Sequence, residues 1–297
     1  MRELLQQIQH GDIKALARSI SLVENEAEGY EEFLQQLPTN NSTKIIGITG
    51  PPGAGKSTLT DALIGELIKD GKKVGVLCVD PSSPFNFGSL LGDRIRMSDW
   101  YNNTNVFIRS LATRGSLGGL HPKIIEITDV MKAAGFDYII IETVGVGQSE
   151  VEIAGLADVT VVVLVPEGGD VIQTMKAGLM EIADIFVVNK SDRPDAETFV
   201  NNLKMMLAPA FKSHKTIPII KTIASEKKGI EELKEEIIKH EDKAVNEKKY
   251  IMLAEKAWQL IQNKRMKNVS KLQLKEEIES QSVDKSFNLY KYIRQHF

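Results

Sequence analysis

Apolar residues along this chain recur with two periods, one typical of buried strands and the other typical of amphipathic helices. Runs that are apolar almost throughout predict strands buried on both faces of a sheet. These runs cover residues 44–49, 74–79, 106–109, 138–141, 159–165, 185–189 and 217–221. Between many of these runs lie segments whose apolar residues have helical spacing. The alternation predicts an α/β fold with a mainly parallel sheet and helices on both faces, in which ligands bind at the carboxyl ends of the strands.

The two ends of the chain lack strand patterns. Apolar residues at helical spacing within residues 1–41 predict an N-terminal helical extension with a break at Gly11. Beyond Glu231 the chain is rich in Lys and Glu, and its apolar residues keep helical spacing. We therefore expect a sheet domain over residues 42–230 and a C-terminal helical arm over residues 231–297, long enough to pack against a second subunit.

Composition narrows the class of protein. A formal net charge of −3 gives no basic excess for binding nucleic acid. The single cysteine, Cys78, lies in an apolar run, so the sequence predicts neither a disulfide framework nor a Cys/His metal cluster. The N-terminus lacks a signal-peptide pattern, and the longest apolar run, residues 159–166, is too short to span a bilayer. We expect a cytoplasmic protein that contacts no membrane.

The strongest chemical motif follows the first predicted strand. Residues 50–58 fit G-x-x-x-x-G-K-[ST], the phosphate-binding loop of nucleotide hydrolases. Its glycines let backbone N–H groups wrap a phosphate, and a helix that begins near Lys56 adds its positive end. We expect Lys56 to reach the β- and γ-phosphates and the Ser57 hydroxyl to reach Mg²⁺. The predicted nucleotide contacts in this phosphate loop are Gly50, Pro51, Pro52, Gly53, Ala54, Gly55, Lys56, Ser57 and Thr58.

Acidic residues mark the ends of two other predicted strands. Glu142 ends one of them, where P-loop enzymes hold Mg²⁺ directly or through water, and its side chain is longer than the usual Asp. Three residues on, Gly145 is expected to offer its N–H to the γ-phosphate. Asp80 ends another strand, and Asp93 lies between the two. Either acid is expected to bind metal or to orient water, while an Asx turn at Asp80 and a surface ion pair at Asp93 remain open alternatives.

A second motif, N-K-x-D at residues 189–192, follows a later strand and predicts guanine recognition. The carboxylate of Asp192 can accept hydrogen bonds from N1–H and the 2-amino group of guanine, both of which adenine lacks. Sites built on such bonds discriminate between ligands by about 10⁴–10⁵. We expect Lys190 to cover the base, Asn189 to brace the loop and the backbone of Ala224 to contact the base. The predicted ligands are therefore GTP or GDP with Mg²⁺.

Together these segments closely resemble the MeaB/ArgK family of P-loop GTPases, and the resemblance covers nearly the whole chain. The most specific string is E-T-V-G-V-G-Q-S-E. The resemblance implies a SIMIBI-type P-loop fold with N- and C-terminal helical extensions. It further implies a G-protein chaperone that assists cofactor loading and protection of an adenosylcobalamin-dependent acyl-CoA mutase, such as methylmalonyl-CoA mutase, and a homodimer joined through C-terminal helices. The segments that carry it are residues 50–58, 80–83, 92–97, 142–150 and 189–192.

The resemblance also assigns roles to individual residues. It implies that Lys56, Asp80, Asp93 and Glu142 serve Mg²⁺ binding and hydrolysis, and it places a partner-sensing switch at residues 165–176. Val146 rather than a Gln follows Gly145 in the string E-T-V-G-V-G-Q-S-E. We therefore expect slow unassisted turnover, near the ~10⁻⁴–10⁻² s⁻¹ of unstimulated G proteins, and acceleration by the partner mutase.

Two other functions stay open from the sequence. One is a nickel- or metal-insertion GTPase, although related metal carriers have Cys or His ligands near the switches and the five histidines here are scattered. The other is an ATP-dependent kinase linked to amino-acid transport, although N-K-x-D favours guanine over adenine. The chain contains no evident D-x-H-x-x-G cobalamin-binding string, so a corrinoid cofactor is expected to belong to the partner.

Overall fold

The computed structural model of this chain describes residues 2–38, 42–80, 97–113, 120–145, 149–166, 177–210, 217–240, 247–266, 269–282 and 287–296. Within these ranges seven strands form one sheet in the order β3-β2-β4-β1-β5-β6-β7, and every pairing is parallel. The predicted parallel sheet is confirmed. The strands are β1 (Lys44–Thr49), β2 (Val74–Asp80), β3 (Val106–Ala112), β4 (Tyr138–Glu142), β5 (Val159–Leu164), β6 (Ile185–Val188) and β7 (Ile219–Lys221).

The strand bounds differ from the predicted ones at two edges of the sheet. At one edge, β3 continues three residues beyond Arg109, because its pairing with β2 runs on to Ala112. At the other edge, β7 begins at Ile219 rather than Ile217. Pro218 has no N–H to donate to the ladder, so it contributes only its carbonyl, which accepts from the Phe186 N–H at 2.9 Å.

Helices cover both faces of the sheet, as predicted. Leu63 and Ile237 belong to helices packed in one large apolar cluster, and Leu179 and Leu203 to helices packed in another. The two clusters lie on opposite faces because successive strand residues alternate between them, as Val161 and Val162 do. The helices of this layer system are α4 (Lys56–Lys69), α5 (Ile124–Ala133), α6 (Ser149–Leu156), α7 (Ala177–Ile182), α8 (Ala196–Ala210) and α9 (Ile230–His240).

The N-terminal extension forms three helices, α1 (Arg2–Gln9), α2 (Ile13–Glu24) and α3 (Tyr30–Gln35). The predicted break is confirmed: Gly11 has a φ of 82°, and the Asp12 carboxylate caps α2 by accepting from two backbone N–H groups at 2.8 and 3.0 Å. An Arg109 guanidinium on β3 donates to Glu24 at 2.6 Å, which ties α2 to the edge of the sheet.

The described C-terminal residues form three further helices. These helices are α10 (Glu247–Arg265), α11 (Lys271–Ser282) and α12 (Leu289–His296). The chain divides into two compact units, Met1–Lys249 and Tyr250–Phe297. Among the described residues, no helix is both long and apolar enough to cross a membrane.

Candidate functional site

The phosphate loop lies at the carboxyl end of β1, a central strand whose neighbours are β4 and β5. Gly50, Gly53 and Gly55 have φ values of 139°, 76° and 87°, a region that side chains rarely adopt. A Cβ on Gly55 would lie 2.4 Å from the Asn189 amide nitrogen. This glycine therefore also permits close packing against the N-K-x-D loop at residues 189–192, the predicted base-side loop. Helix α4 begins directly afterwards, at Lys56. The loop therefore has the geometry of an anion cradle at a helix N-terminus.

The ammonium group of Lys56 is folded over the loop. It is buried and donates to the carbonyl oxygens of Gly50 at 3.0 Å and Pro51 at 3.2 Å. Gly145, with a φ of 83°, lies against the same atoms: a Cβ there would come within 2.4 Å of the Lys56 nitrogen and 2.3 Å of the Gly50 oxygen. The structure thus places Gly145, which is predicted to contact the γ-phosphate, against the phosphate loop.

Two of the predicted metal-binding side chains, Ser57 and Glu142, are in contact, and Asp80 lies at the same end of the sheet. Glu142 ends β4 and lies opposite Ile48 of β1, and its carboxylate accepts from the Ser57 hydroxyl at 2.6 Å. Cys78 of β2 pairs with Glu142 of β4. Asp80 follows two residues later, so it lies at the same carboxyl end of the sheet. Glu142, Ser57 and Asp80 are all buried. Their oxygen atoms are the ligand type that Mg²⁺ prefers, so the residues present fit this ion. Asp93 lies outside the described residues.

The base-side loop is tied to the phosphate loop through two side chains. The Asn189 amide donates to the Ala54 carbonyl at 3.0 Å, and the Lys190 ammonium donates to the Gly53 carbonyl at 2.9 Å. The Asn189 side-chain oxygen in turn accepts from the Thr222 hydroxyl and the Ala224 N–H, both at 3.1 Å. Asn189 therefore joins three loops. The Ala224 N–H, predicted to contact the base, is directed at Asn189 in this structure.

Asp192 is exposed at the end of the same motif, where a ligand can reach it. Lys228, on the loop that follows β7, lies close enough to sense its charge. The pKa of Lys228 is raised, mainly by its hydrogen bond to Glu226 and to a smaller extent by the negative charge of Asp192. The carboxylate of Asp192 is thus exposed to solvent, where a ligand's N–H donors can reach it.

Comparisons with known proteins identify the family. A family model described as "Methylmalonyl Co-A mutase-associated GTPase MeaB" matches residues 16–278. This chain belongs to that family. It is 49% identical over 245 residues to a putative GTPase of Pyrococcus abyssi, an alignment that spans 81% of this chain and 76% of that protein. The resemblance inferred from the sequence is confirmed, and the chain is a P-loop GTPase that binds guanine nucleotide and hydrolyses GTP.

Two further relatives of this MeaB-family GTPase are informative. A fused isobutyryl-CoA mutase of Geobacillus kaustophilus is 40% identical over 204 residues, which make up 65% of this chain and 19% of that protein. The crystal structure of a LAO/AO transport system kinase matches with a TM-score of 0.70 and 26% identity, covering 99% of this chain and 95% of that one. The structural match confirms the P-loop fold with its helical extensions.

Three polar contacts of α4 and of the ends of β1 and β4 were not predicted. The Thr60 hydroxyl lies 3.0 Å from the second carboxylate oxygen of Glu142. The Trp100 indole donates to Asp61 at 2.6 Å, and the hydroxyls of Thr49 and Thr143 lie 2.9 Å apart. A signal existed only for Thr60, which lies three residues after Ser57 and hence on the same face of α4. The other contacts join elements whose adjacency the sequence pattern leaves open.

Proposed function

We propose that this GTPase is a nucleotide-driven chaperone that assists cofactor loading and protection of an adenosylcobalamin-dependent acyl-CoA mutase, methylmalonyl-CoA mutase or a relative. One observation carries the proposal. The matching segment of the fused isobutyryl-CoA mutase is only 19% of that protein, so a segment of this kind is covalently joined to a longer chain named as a mutase. A permanent link in one protein argues that the separate proteins also meet. The family is described as associated with methylmalonyl-CoA mutase, which agrees with the proposal.

In this proposal the phosphates of GTP lie in the cradle of residues 50–58. The Lys56 ammonium would exchange its bonds to the Gly50 and Pro51 carbonyls for the β- and γ-phosphate oxygens. The Gly145 N–H would join the γ-phosphate, since its backbone already lies against Lys56 and Gly50. Catalysis would then rest on donors placed where negative charge develops.

Ser57, Asp80 and Glu142 would hold Mg²⁺, which supplies charge neutralisation at the phosphates when it is bound. Glu142 would in addition orient the attacking water through its buried carboxylate, because its extra methylene extends its reach beyond that of the usual Asp. Asp93 is proposed as a further acid of this group.

Base choice is proposed to rest on Asp192, with Lys190 and the Ala224 backbone beside the base. Asn189 would hold the base-side and phosphate loops at a fixed separation, so that a guanine and its phosphates are bound by one rigid unit. The proposed switch at residues 165–176 would sense the partner; residues 167–176 of it lie outside the described ranges.

The C-terminal unit supports the proposed homodimer. Its helices carry large apolar side chains at the surface, among them Ile251, Leu272 and Tyr290, which are 70%, 73% and 84% exposed. Burying such side chains against a second copy removes apolar area from water, at roughly 25 cal/mol per Å². Sedimentation equilibrium at micromolar concentration tests this part, and a monomer would contradict it.

Neither open alternative is preferred to this proposal. Among the described residues, no three His, Cys, Asp or Glu side chains are grouped so that they could hold a metal ion, so no observation favours nickel insertion. The similarity to named GTPases disfavours an ATP-dependent kinase.

Cofactor transfer tests the proposal. Apo-mutase from the same genome is mixed with adenosylcobalamin and this protein, and loading is followed by the absorbance change of the bound corrinoid. We expect the extent or rate of loading to depend on whether GTP, GDP or no nucleotide is present, and the dependence to vanish with Lys56→Ala. Identical loading with and without this protein, for each candidate acyl-CoA mutase, would contradict the chaperone role.

A further inference from the structure

Each oxygen of the Glu142 carboxylate has a hydroxyl partner on the same helix. Ser57 donates to one oxygen at 2.6 Å, and the Thr60 hydroxyl lies 3.0 Å from the other. Thr60 is completely buried and Glu142 nearly so. Helix α4 therefore contacts both carboxylate oxygens of the acid that ends β4.

The two hydroxyls differ in how the sequence explains them. Ser57 belongs to the phosphate-loop motif, whose hydroxyl serves the metal. Thr60 lies outside the motif but on the same face of α4, since residues three apart in a helix are neighbours. A Glu side chain has one more torsion angle than an Asp, and this torsion must also be held if the carboxylate is to keep one orientation. A second hydrogen bond fixes that torsion.

We infer that Thr60 is a positioning residue for GTP hydrolysis, which holds the Glu142 carboxylate in its working orientation. The inference rests on the role proposed above for Glu142. A preorganised acid needs no reorientation during the reaction, and an error of about 1 Å in its placement can cost up to ~10²-fold in rate.

A purely structural role is the rival explanation. The Thr60 hydroxyl also lies 2.9 Å from the carbonyl oxygen of Lys56, four residues earlier, and buried Thr residues in helices commonly make this bond. The hydroxyl has one proton, so it donates to one acceptor at a time. A test must therefore separate an effect through Glu142 from an effect on the start of α4.

The experiment measures single-turnover GTP hydrolysis over a range of Mg²⁺ concentrations. It compares the wild type with Thr60→Val, Thr60→Ala, Thr60→Ser, Glu142→Asp, Glu142→Gln and the double variant Thr60→Val/Glu142→Asp. Loss of one hydrogen bond to a charged group is expected to slow Thr60→Val about tenfold, while Thr60→Ser keeps the hydroxyl and nearly the full rate. The shorter acid of Glu142→Asp withdraws from Thr60, so adding Thr60→Val to it should cost little more.

Four outcomes would overturn the inference. The first is an equal loss from Thr60→Val in the wild-type and Glu142→Asp backgrounds, which would indicate an effect through the Lys56 carbonyl. The second is a fall in Mg²⁺-free GDP affinity as large as the fall in rate, or failure of both Thr60→Val and Thr60→Ala to fold, which would indicate a structural role. The third is an undiminished rate for Glu142→Gln, which would remove the proposed role of Glu142. The fourth is a slow Glu142→Gln with a normal rate for Thr60→Val, which would remove only the role of Thr60.

Discussion

The side-chain amide of Asn189 donates a hydrogen bond of 3.0 Å to the backbone carbonyl of Ala54, at the tip of the phosphate loop. Asn189 is buried, and its oxygen accepts from Thr222 and Ala224 on the loop after β7. One side chain therefore fixes the separation between the N-K-x-D loop and the phosphate loop. In the proposed site, this link would let segments far apart in the chain bind the two ends of one nucleotide.

Replacing Asn189 separates the contributions of its donor and its acceptor. Asn189→Ala removes all three hydrogen bonds and leaves buried groups unpaired, so we expect a loss of about 1–3 kcal/mol in unfolding free energy and at least a tenfold weaker GDP affinity. Asn189→Asp keeps the acceptor but removes the donor to Ala54. It should weaken GDP binding while keeping the loop after β7 in place. Titration with a fluorescent GDP analogue and urea unfolding measure both, and wild-type GDP affinity in either variant would contradict the linking role.

The base preference is expected to depend on Asp192. Asp192→Asn replaces an acceptor by an amide that can donate to the 2-oxo group of xanthine, so GTP affinity should fall about a hundredfold and xanthosine triphosphate should bind better. Asp195→Asn removes another exposed carboxylate of the same turn and serves as the matched control, with guanine preference unchanged. Competition of both nucleotides against a fluorescent probe gives the ratio. An unaltered preference in Asp192→Asn would argue against the assignment of the base site.

A side chain at Gly145 should impair hydrolysis. In Gly145→Ala the new Cβ would overlap the Lys56 nitrogen and the Gly50 oxygen, in addition to the cost of its positive φ of about 1–2 kcal/mol. We expect single-turnover hydrolysis to fall at least tenfold.

Gly71→Ala is the control for the Gly145 prediction. Gly71 has a similar φ of 72° after α4, with no atom within 4 Å of an added Cβ. It should lose stability and keep its rate. Equal rates for the two variants would show that Gly145 has no place in the reaction.

The N-terminal extension is expected to stabilise the sheet domain through Glu24. Its carboxylate lies 2.6 Å from Arg109, and the two side chains are only 13% and 24% exposed. Breaking a largely buried pair leaves a charge without its partner, so Glu24→Gln should lower the unfolding free energy by about 1–3 kcal/mol.

Glu197→Gln is the matched control for the Glu24 prediction. The Glu197–Lys221 pair has the same 2.6 Å separation but is 70% and 48% exposed, so its loss should be undetectable by urea unfolding. Equal effects of the two substitutions on the unfolding free energy would contradict a stabilising ion pair between Glu24 and Arg109.

Much of the fold was predictable because the signals are local. Buried parallel strands are apolar throughout, and the phosphate loop needs its glycines and lysine in one short string. The break at Gly11 was predictable for the same reason, since one glycine and one capping acid produce it.

The order of the strands was not predictable, because apolar patterns do not specify neighbours. That order places β4 between β1 and β2, and thereby Glu142 beside Ser57 and near Asp80. Thr60 escaped prediction for the same reason, since its contact with Glu142 exists only once α4 lies against the end of β4.

The rate of GTP hydrolysis with and without a purified acyl-CoA mutase from the same genome tests the central claim most directly. We expect slow turnover alone, a marked acceleration by the cognate mutase, and none with Lys56→Ala in either case. A rate that no acyl-CoA mutase changes would contradict the proposed partnership, and hydrolysis that survives Lys56→Ala would contradict the site itself.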